Sequence, residues 1–593
     1  MLKNIFILLV INISLVFSQT DDILALQYYK KGAYEKALLS YKALLKEKPY
    51  SYNYFNKIID IHQELEQFEE ADSLINTKLL RGRLPYYVIT LGYNYQLQNH
   101  ISKAETLYNE AIALMDQNPN YVYTIGERFE NYSLNDYAIK AYEKGKKLLP
   151  ERNFSVQLAR IYADRGDVAQ MLESYLDYIA YKPNYINNVK RSITGFITED
   201  PDNESNRVLK KALIKRLQSS PEIYWNQMLS WLYVQEKAYN KSFVQEKAIY
   251  KRNPERLDRI VELAFMTKED QDIETSKTIF KYIIENTFDT EIQILAHQSL
   301  LEFKTTTATS KKNFQKVDQA YQDIIKQYGR QAETLDLQID YANFLAFYLE
   351  QPKNASKYLK KTLKLNLSKF QQAKVKMKLA DILVYQERFN EALIFYTQIQ
   401  KSLKNSTIGQ EARFRVAKTS YYNSDFDWAE TQLNILKSST SQLIANDALD
   451  LKLLISDNKY KDSTRTALNY YAKADLLSFQ KRDNDAIKML QNILDEYKGE
   501  SIEDQALFKQ AQLFEHKNKY EKAADNYKQI IEKFPEDILA DDAHFYLAGL
   551  LEKQFDKPDQ AKALYEYIIF NFQDSIYFVE ARKAFRRLRG DDI

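Results

Sequence analysis

The stretch Leu24–Pro49, LALQYYKKGAYEKALLSYKALLKEKP, recurs with variation along the 593 residues, and that recurrence limits the fold more than any other feature. Two short helices are read in it. The first carries Leu24, Ala25 and Tyr28, a turn falls at Gly32, the second carries Tyr34, Ala37, Tyr41 and Leu44, and Pro49 closes the unit. Ala25 and Ala37 let two helix backbones approach, while Tyr28, Tyr34 and Tyr41 fill the space around that contact at helical spacing. Gly32 suits a helix C-terminus that needs φ > 0. Pro49 suits a turn or the first turn of a new helix. One such hairpin cannot bury its apolar faces alone, so copies must stack on both sides of it.

The copies are present. Ala37 has equivalents at Ala71, Ala104, Ala138 and Met171, spaced by 34, 33, 34 and 33 residues. Tyr41 has equivalents at Tyr108, Tyr142 and Tyr175, with Ile75 in the second unit. Leu91-Gly92 and Ile125-Gly126 mark successive first helices, with Leu158-Ala159 as the relaxed form, and Pro150 and Pro183 close units. On these residues the chain resembles the tetratricopeptide repeat family, whose unit is a helix-turn-helix of about 34 residues. The resemblance implies an all-α fold, a right-handed superhelical solenoid of stacked helix pairs with a concave inner wall.

Composition agrees with helix throughout: 12 Gly, 11 Pro and 28% charged residues. Residues 1–18 differ from the rest. Lys3 precedes the nearly apolar run Ile5–Phe17, and Val16-Phe17-Ser18 before Gln19 forms a cleavage site. This reads as a secretory signal peptide, with an uncleaved anchor as the alternative. The run is shorter than the roughly 20 residues a membrane span needs. The expected location is therefore exported: periplasm first, with outer-membrane association or secretion as variants. The chain has no cysteine, which removes disulfides, thiolate metal sites, a cysteine nucleophile and a lipoprotein acyl anchor. A net charge of +2 gives no global attraction to polyanions, and nucleic acid is not expected as a partner.

The array is read as residues 19–302 at a period of 33–34, with 184–220 a degenerate repeat broken by Gly195 and Pro201. Residues 303–312, FKTTTATSKK, are mostly polar with four threonines, and predict a loop or a hinge between two arrays. Residues 313–593 run at 37–38: Ala392 to Ala429, Ala486 to Ala523, and Ala523 to Ala561. The added residues lengthen helices or loops. The ending IIFNFQDSIYFVEARKAFRRLRG, with that longer period, is similar to bacterial cell-envelope repeat proteins of outer-membrane assembly and division. Its basic group, Arg582 to Arg589, reads as a solubilising terminal cap.

Little chemistry is legible. The closest glycines, Gly82 and Gly92, are ten apart, so the glycine-rich phosphate loops and G-x-S-x-G cannot occur. The five histidines are scattered; Asp541-Asp542 near His544 reads as a helix start, not a metal cluster. No cofactor and no metal are expected, and the repeats continue to about residue 570, leaving no separate catalytic domain. The family resemblance implies that first-helix positions face the concave wall. Carried onto this chain, they include Tyr29, Asn56, Asp60, Tyr93, Gln96, Tyr123, Glu127, Glu130, Asn131 and Arg160. Tyrosines among amides and acids make a peptide-binding surface. The expected function is thus an exported, non-enzymatic scaffold binding protein segments in its groove. A coordinating component of an envelope machine is the alternative, and a cell-wall hydrolase the third reading.

Overall fold

The structure, a computed structural model, describes residues 22–254, 257–436, 442–459 and 465–591. The segment 1–18 read as a signal peptide lies outside them. Contacts divide the chain into two units, Met1–Ile279 and Phe280–Ile593. Among the described residues all regular structure is helical.

The first unit begins with α1 (22–30), followed by α2 (Tyr34–Glu47), α3 (Tyr52–Glu64), α4 (Phe68–Leu79), α5 (Pro85–Leu97) and α6 (Ile101–Gln117). Next come α7 (Val122–Asn131), α8 (Asn135–Leu148), α9 (Ser155–Asp164) and α10 (Val168–Tyr181). Odd-numbered helices are the first of each pair and even-numbered ones the second. Ala37, Ala71, Ala104 and Ala138 are all buried, as the close-crossing reading requires. Gly92 and Gly126 show why a glycine is needed. A Cβ on Gly92 falls 2.7 Å from Tyr108 Cε1, and one on Gly126 falls 2.3 Å from Tyr142 Cζ. The second-helix tyrosine therefore lies directly on the first-helix backbone, and Tyr108 and Tyr142 are 1% and 2% exposed. Where Ala159 stands in place of the glycine, Tyr175 is only half-buried.

The buried tyrosines carry a second tie. Tyr108 donates its hydroxyl to Gln96 Oε1 at 2.9 Å, Tyr142 to Glu130 Oε1 at 2.5 Å, and Tyr527 to Glu515 Oε1 at 2.6 Å. Each acceptor lies twelve residues earlier on the first helix of the same pair. A buried hydroxyl without a partner costs about 1–3 kcal/mol, so the pattern satisfies an obligation that the choice of tyrosine creates.

The turn between the helices of a pair is the regular ruler of the fold. Gly32 (φ 72°), Glu66 (φ 57°), Asn99 (φ 62°), Ser133 (φ 56°) and Gly166 (φ 73°) all occupy the left-handed region. The next residue's amide closes each turn by donating back five residues, as Ala33 does to Tyr28, His100 to Tyr95 and Leu134 to Phe129. Residues 184–220 keep a helix pair, Ile186–Ile193 and Glu204–Ser219, with the first shortened to two turns. Buried Asn206 organises the loop between them, donating to the Thr198 and Asp200 carbonyls at 2.8 and 3.1 Å.

In the second unit the loop expected at 303–312 narrows to residues 308–310. The helix Thr290–Thr307 covers the first half of that span, and Lys311–Tyr328 takes up its end. The threonines are accommodated because Thr305, Thr306 and Thr307 return their hydroxyls to the Leu301, Glu302 and Phe303 carbonyls at 2.8, 3.1 and 2.7 Å. Phe303 and Thr305 are buried. The longer period is shared between helices and loops. The first helices Lys369–Tyr385 and Thr407–Tyr422 have 17 and 16 residues, against 13 for α5 and 10 for α7 and α9. The later first helices Glu503–His516 and Ala540–Lys553 have 14 and follow longer loops, 497–502 and 534–539. The left-handed turns fall at Glu350, Glu387 and Ser424, then at Lys481, Asn518 and Asp556. The wide step from Ser424 to Lys481 holds an unpaired 18-residue helix, Gln442–Lys459, which sequence periodicity did not disclose. The Lys459 ammonium anchors its end to Asp427 and Glu430, both at 2.7 Å.

Two carboxyls in this unit titrate late. Burial pushes Asp504 up to about 6, reinforced by Asp537 and Asp457 against the Gln505 amide. Burial does the same for Asp542, with Asp541 adding to it. A raised carboxyl pKa means the folded state binds the proton more tightly than the unfolded chain, so the ionised form destabilises above pH 6 and the loss is relieved between pH 6 and 4. Asp504→Asn is therefore expected to raise stability relative to the wild type at pH 8. That advantage should shrink by about 2 kcal/mol on acidification to pH 4.5. Paired urea melts at the two pH values read the difference, and a constant gap refutes it.

A candidate partner-binding cleft on the first helices

Helices α1, α3, α5 and α7 bring one face each to a common cleft of about 580 Å³. It is lined by Tyr29, Lys57, Asp60, Gln63, Glu64, Glu66, Phe68, Tyr93, Leu97, Arg128, Asn131 and Tyr132. Four residues expected on the concave wall, Tyr29, Asp60, Tyr93 and Asn131, are among them. Three others face inward to core tyrosines: Gln96 and Glu130 as above, and Asn56, whose Oδ1 accepts from the Tyr87 hydroxyl at 3.1 Å. Tyr123 is 40% exposed and leans its ring on Phe154 at 5.1 Å. Glu127 and Arg160 are exposed and lie outside the cleft lining, with their charges near the Tyr142 hydroxyl.

The wall of the cleft is built on Arg128, which is 7% exposed. Its guanidinium lies between the rings of Tyr86 and Tyr132, 4.3 and 4.1 Å from their centroids. Nε donates to Thr90 Oγ1 and Nη2 to Asp60 Oδ1, both at 3.2 Å, and Nη2 also donates to the Tyr132 hydroxyl. Burial works against the charge, but Tyr132, Asp60 and Tyr86 outweigh it and hold the guanidinium cationic. Tyr93 then stacks on Tyr132, with centroids 3.8 Å apart and planes 12° from parallel. The half-buried aromatic edge of the cleft is thus fixed by an ion pair whose guanidinium is buried.

The rim is mixed. Lys57 sits 4.2 Å above the Tyr29 ring and 3.7 Å from Asp60. Burial, with Asp60 and Glu64 nearby, raises Tyr29 to about 12, so its hydroxyl is a donor at every physiological pH. Burial likewise raises Tyr93, with Glu64 adding to it. Gln63 reaches beneath the rim, donating to the Thr90 carbonyl and Asn94 Oδ1, both at 3.3 Å. Asn94 in turn donates to Asp72 at 2.7 Å. The cleft therefore offers aromatic faces, phenol donors and the carboxylates of Glu64 and Glu66 on a rigid wall. Among the described residues no group of three or more His, Cys, Asp or Glu side chains is placed to hold a metal. His544 instead stacks on Tyr567 at 4.6 Å, and its Nδ1 lies 2.7 Å from the Ala540 carbonyl.

Sequence reasoning missed Arg128, Tyr132 and Tyr86. Arg128 falls at a first-helix position outside the wall set, and Tyr132 lies at the helix end. Their separation of four residues on one helical face was the available signal.

Residues 505–537 match the family model described as Tetratricopeptide repeat. The chain carries a tetratricopeptide repeat there, within a fold of stacked helix pairs of that type. Among solved structures, the chain is similar to one described as "Structure of Naa15/Naa10 bound to HypK-THB". The identity is 12%, covering 97% of this chain and 94% of that one, with a TM-score of 0.29. A second is "Crystal structure of APC/C hetero-tetramer Cut9-Hcn1", at 12% identity, 96% of each chain and a TM-score of 0.21. No curated protein matches the chain. No described helix is long and apolar enough to cross a membrane.

Proposed function

We propose that this protein is a non-enzymatic scaffold that holds an extended segment of a protein partner in the cleft of α1, α3, α5 and α7. The observation that supports it is the Tyr93–Tyr132–Arg128–Tyr86 stack, which holds aromatic surface rigid at an open cleft. Rigid tyrosine lowers the entropy a binding surface loses on association and contributes both apolar area and a hydroxyl. Glu64 and Glu66, beside Tyr29 and Tyr93, favour a segment with a Lys or Arg side chain between apolar anchors.

Selection of displayed random peptides on the immobilised full chain is the direct test. Enriched peptides are expected to carry a basic residue beside an apolar one. Tyr29→Ala and Tyr93→Ala should each weaken them by about 1–3 kcal/mol with little change in the melt. Peptides bound equally by the wild type and both variants would remove the cleft from the reading. Export is part of the same proposal and rests on Lys3, the run Ile5–Phe17 and Ser18-Gln19. A mature chain starting at Gln19 in the exported fraction is the expected mass. A stable set of envelope proteins recovered with that fraction favours the coordinating role over a peptide receptor.

A further inference from the structure

The second unit carries a separate charged surface on the helix Pro352–Thr362. Lys353, Lys357, Lys360, Lys361 and Lys364, with Arg388 from the start of the next second helix, line a hollow of about 380 Å³. All six are exposed. The one carboxylate paired among them is Glu391, which accepts from Arg388 Nε at 2.7 Å and lies 3.7 Å from Lys360. Among the described residues no carboxylate lies within ion-pair distance of Lys353, Lys357, Lys361 or Lys364.

This arrangement works against the helix that bears it. Lys353 sits in the first turn, where the macrodipole disfavours a cation, and that turn has no acid. Lys353–Lys357 and Lys357–Lys361 are like-charged pairs at i,i+4, each unfavourable. The terminal arginines differ: Arg587 pairs with Glu552, and Arg589 donates to Asp591 at 2.8 Å.

We propose that this hollow docks an acidic segment of a partner protein. The stripe from Lys353 to Lys364 extends over about 16 Å, at one or two ammonium groups per turn, which suits a run of carboxylates. A lone phosphate reaches two or three of these groups and leaves the rest unpaired. A membrane is flat, whereas these charges converge on a concavity whose lining side chains are all polar. Lysine ammonium groups, being mobile point charges, fit a flexible acidic chain without fixed bidentate geometry.

The test uses the full chain and a fluorescent twelve-residue oligoglutamate peptide, read by anisotropy at two salt concentrations. Binding is expected to weaken with salt. The triple variant Lys353→Glu, Lys357→Glu, Lys361→Glu should lose about tenfold or more in affinity. Glu391→Gln, which perturbs no core residue, should bind about twofold tighter. Loss of the same size on reversing Lys211 and Lys215 in the first unit would mean unspecific attraction and overturn the proposal. So would an unchanged Kd in both patch variants. Displacement by inorganic phosphate at constant ionic strength would assign a small-anion site instead. Patch-dependent sedimentation with vesicles containing anionic phospholipid, without peptide binding, would assign a lipid surface, and either result refutes an acidic protein segment.

Discussion

Arg128→Met is expected to lower the unfolding free energy by about 3 kcal/mol and to disable the cleft at the same time. Methionine matches much of the volume but brings neither charge nor plane. Asp60 loses its hydrogen-bonded partner in a site where its side chain is 19% exposed and keeps only Lys57, 3.7 Å away, so its lost solvation is compensated in part. The rings of Tyr86 and Tyr132 lose the cation between them, and the Tyr93–Tyr132 stack loses its backing. Arg128→Lys separates the contributions: it keeps the charge but not the planar fork, and should fall between wild type and Arg128→Met. Urea melts of Arg128→Met, Asp60→Asn and the double variant give the coupling. Additive losses would show that the pair is not the organising contact.

Tyr142→Ala should cost about 4 kcal/mol, in the range for a large aromatic removed from a core. The ring lies over Gly126, stacks on Phe154 at 5.9 Å and ends in the hydrogen bond to Glu130. Tyr142→Phe keeps the ring and removes the donor, with an expected loss of about 1 kcal/mol. Tyr123, one face of which meets Phe154 while the rest is open, should tolerate alanine with less than about 1 kcal/mol. A specific reversal sharpens the test. Gly126→Ala in the wild type forces its methyl against the Tyr142 ring and should cost about 1–3 kcal/mol. In the Tyr142→Ala background the same methyl enters the void, so its effect should be small. Equal costs in both backgrounds would mean that the glycine is not there for the ring.

The helix pairs were legible because their signal is spaced chemistry: alanine at the crossing, glycine beneath tyrosine, proline at the close. The turn was read from the sequence only at Gly32, and Gly166 adopts the same conformation in its own pair. Glu66, Asn99, Ser133 and Lys237 adopt the same left-handed conformation, and their side chains do not announce it. The helix Gln442–Lys459 was missed because it follows no period, and the threonines of 305–307 misled because their backbone bonding is local and invisible to composition. At the cleft, wall positions of the repeat gave Tyr29, Asp60, Tyr93 and Asn131, while Arg128 was passed over because a buried cation has no repeat equivalent.

Arg128 also changes how the first unit comes apart. In a stack where each repeat touches only its neighbours, the N-terminal end frays one hairpin at a time. Asp60 belongs to α3, Tyr86 and Thr90 to α5, and Arg128 to α7, so a single side chain bolts three successive hairpins together. Opening α3 exposes a buried guanidinium on α7, and that cost is felt two hairpins away from the one that opens. Amides of α3, α5 and α7 should therefore exchange with deuterium as one block, ahead of which only α1 and α2 are released separately.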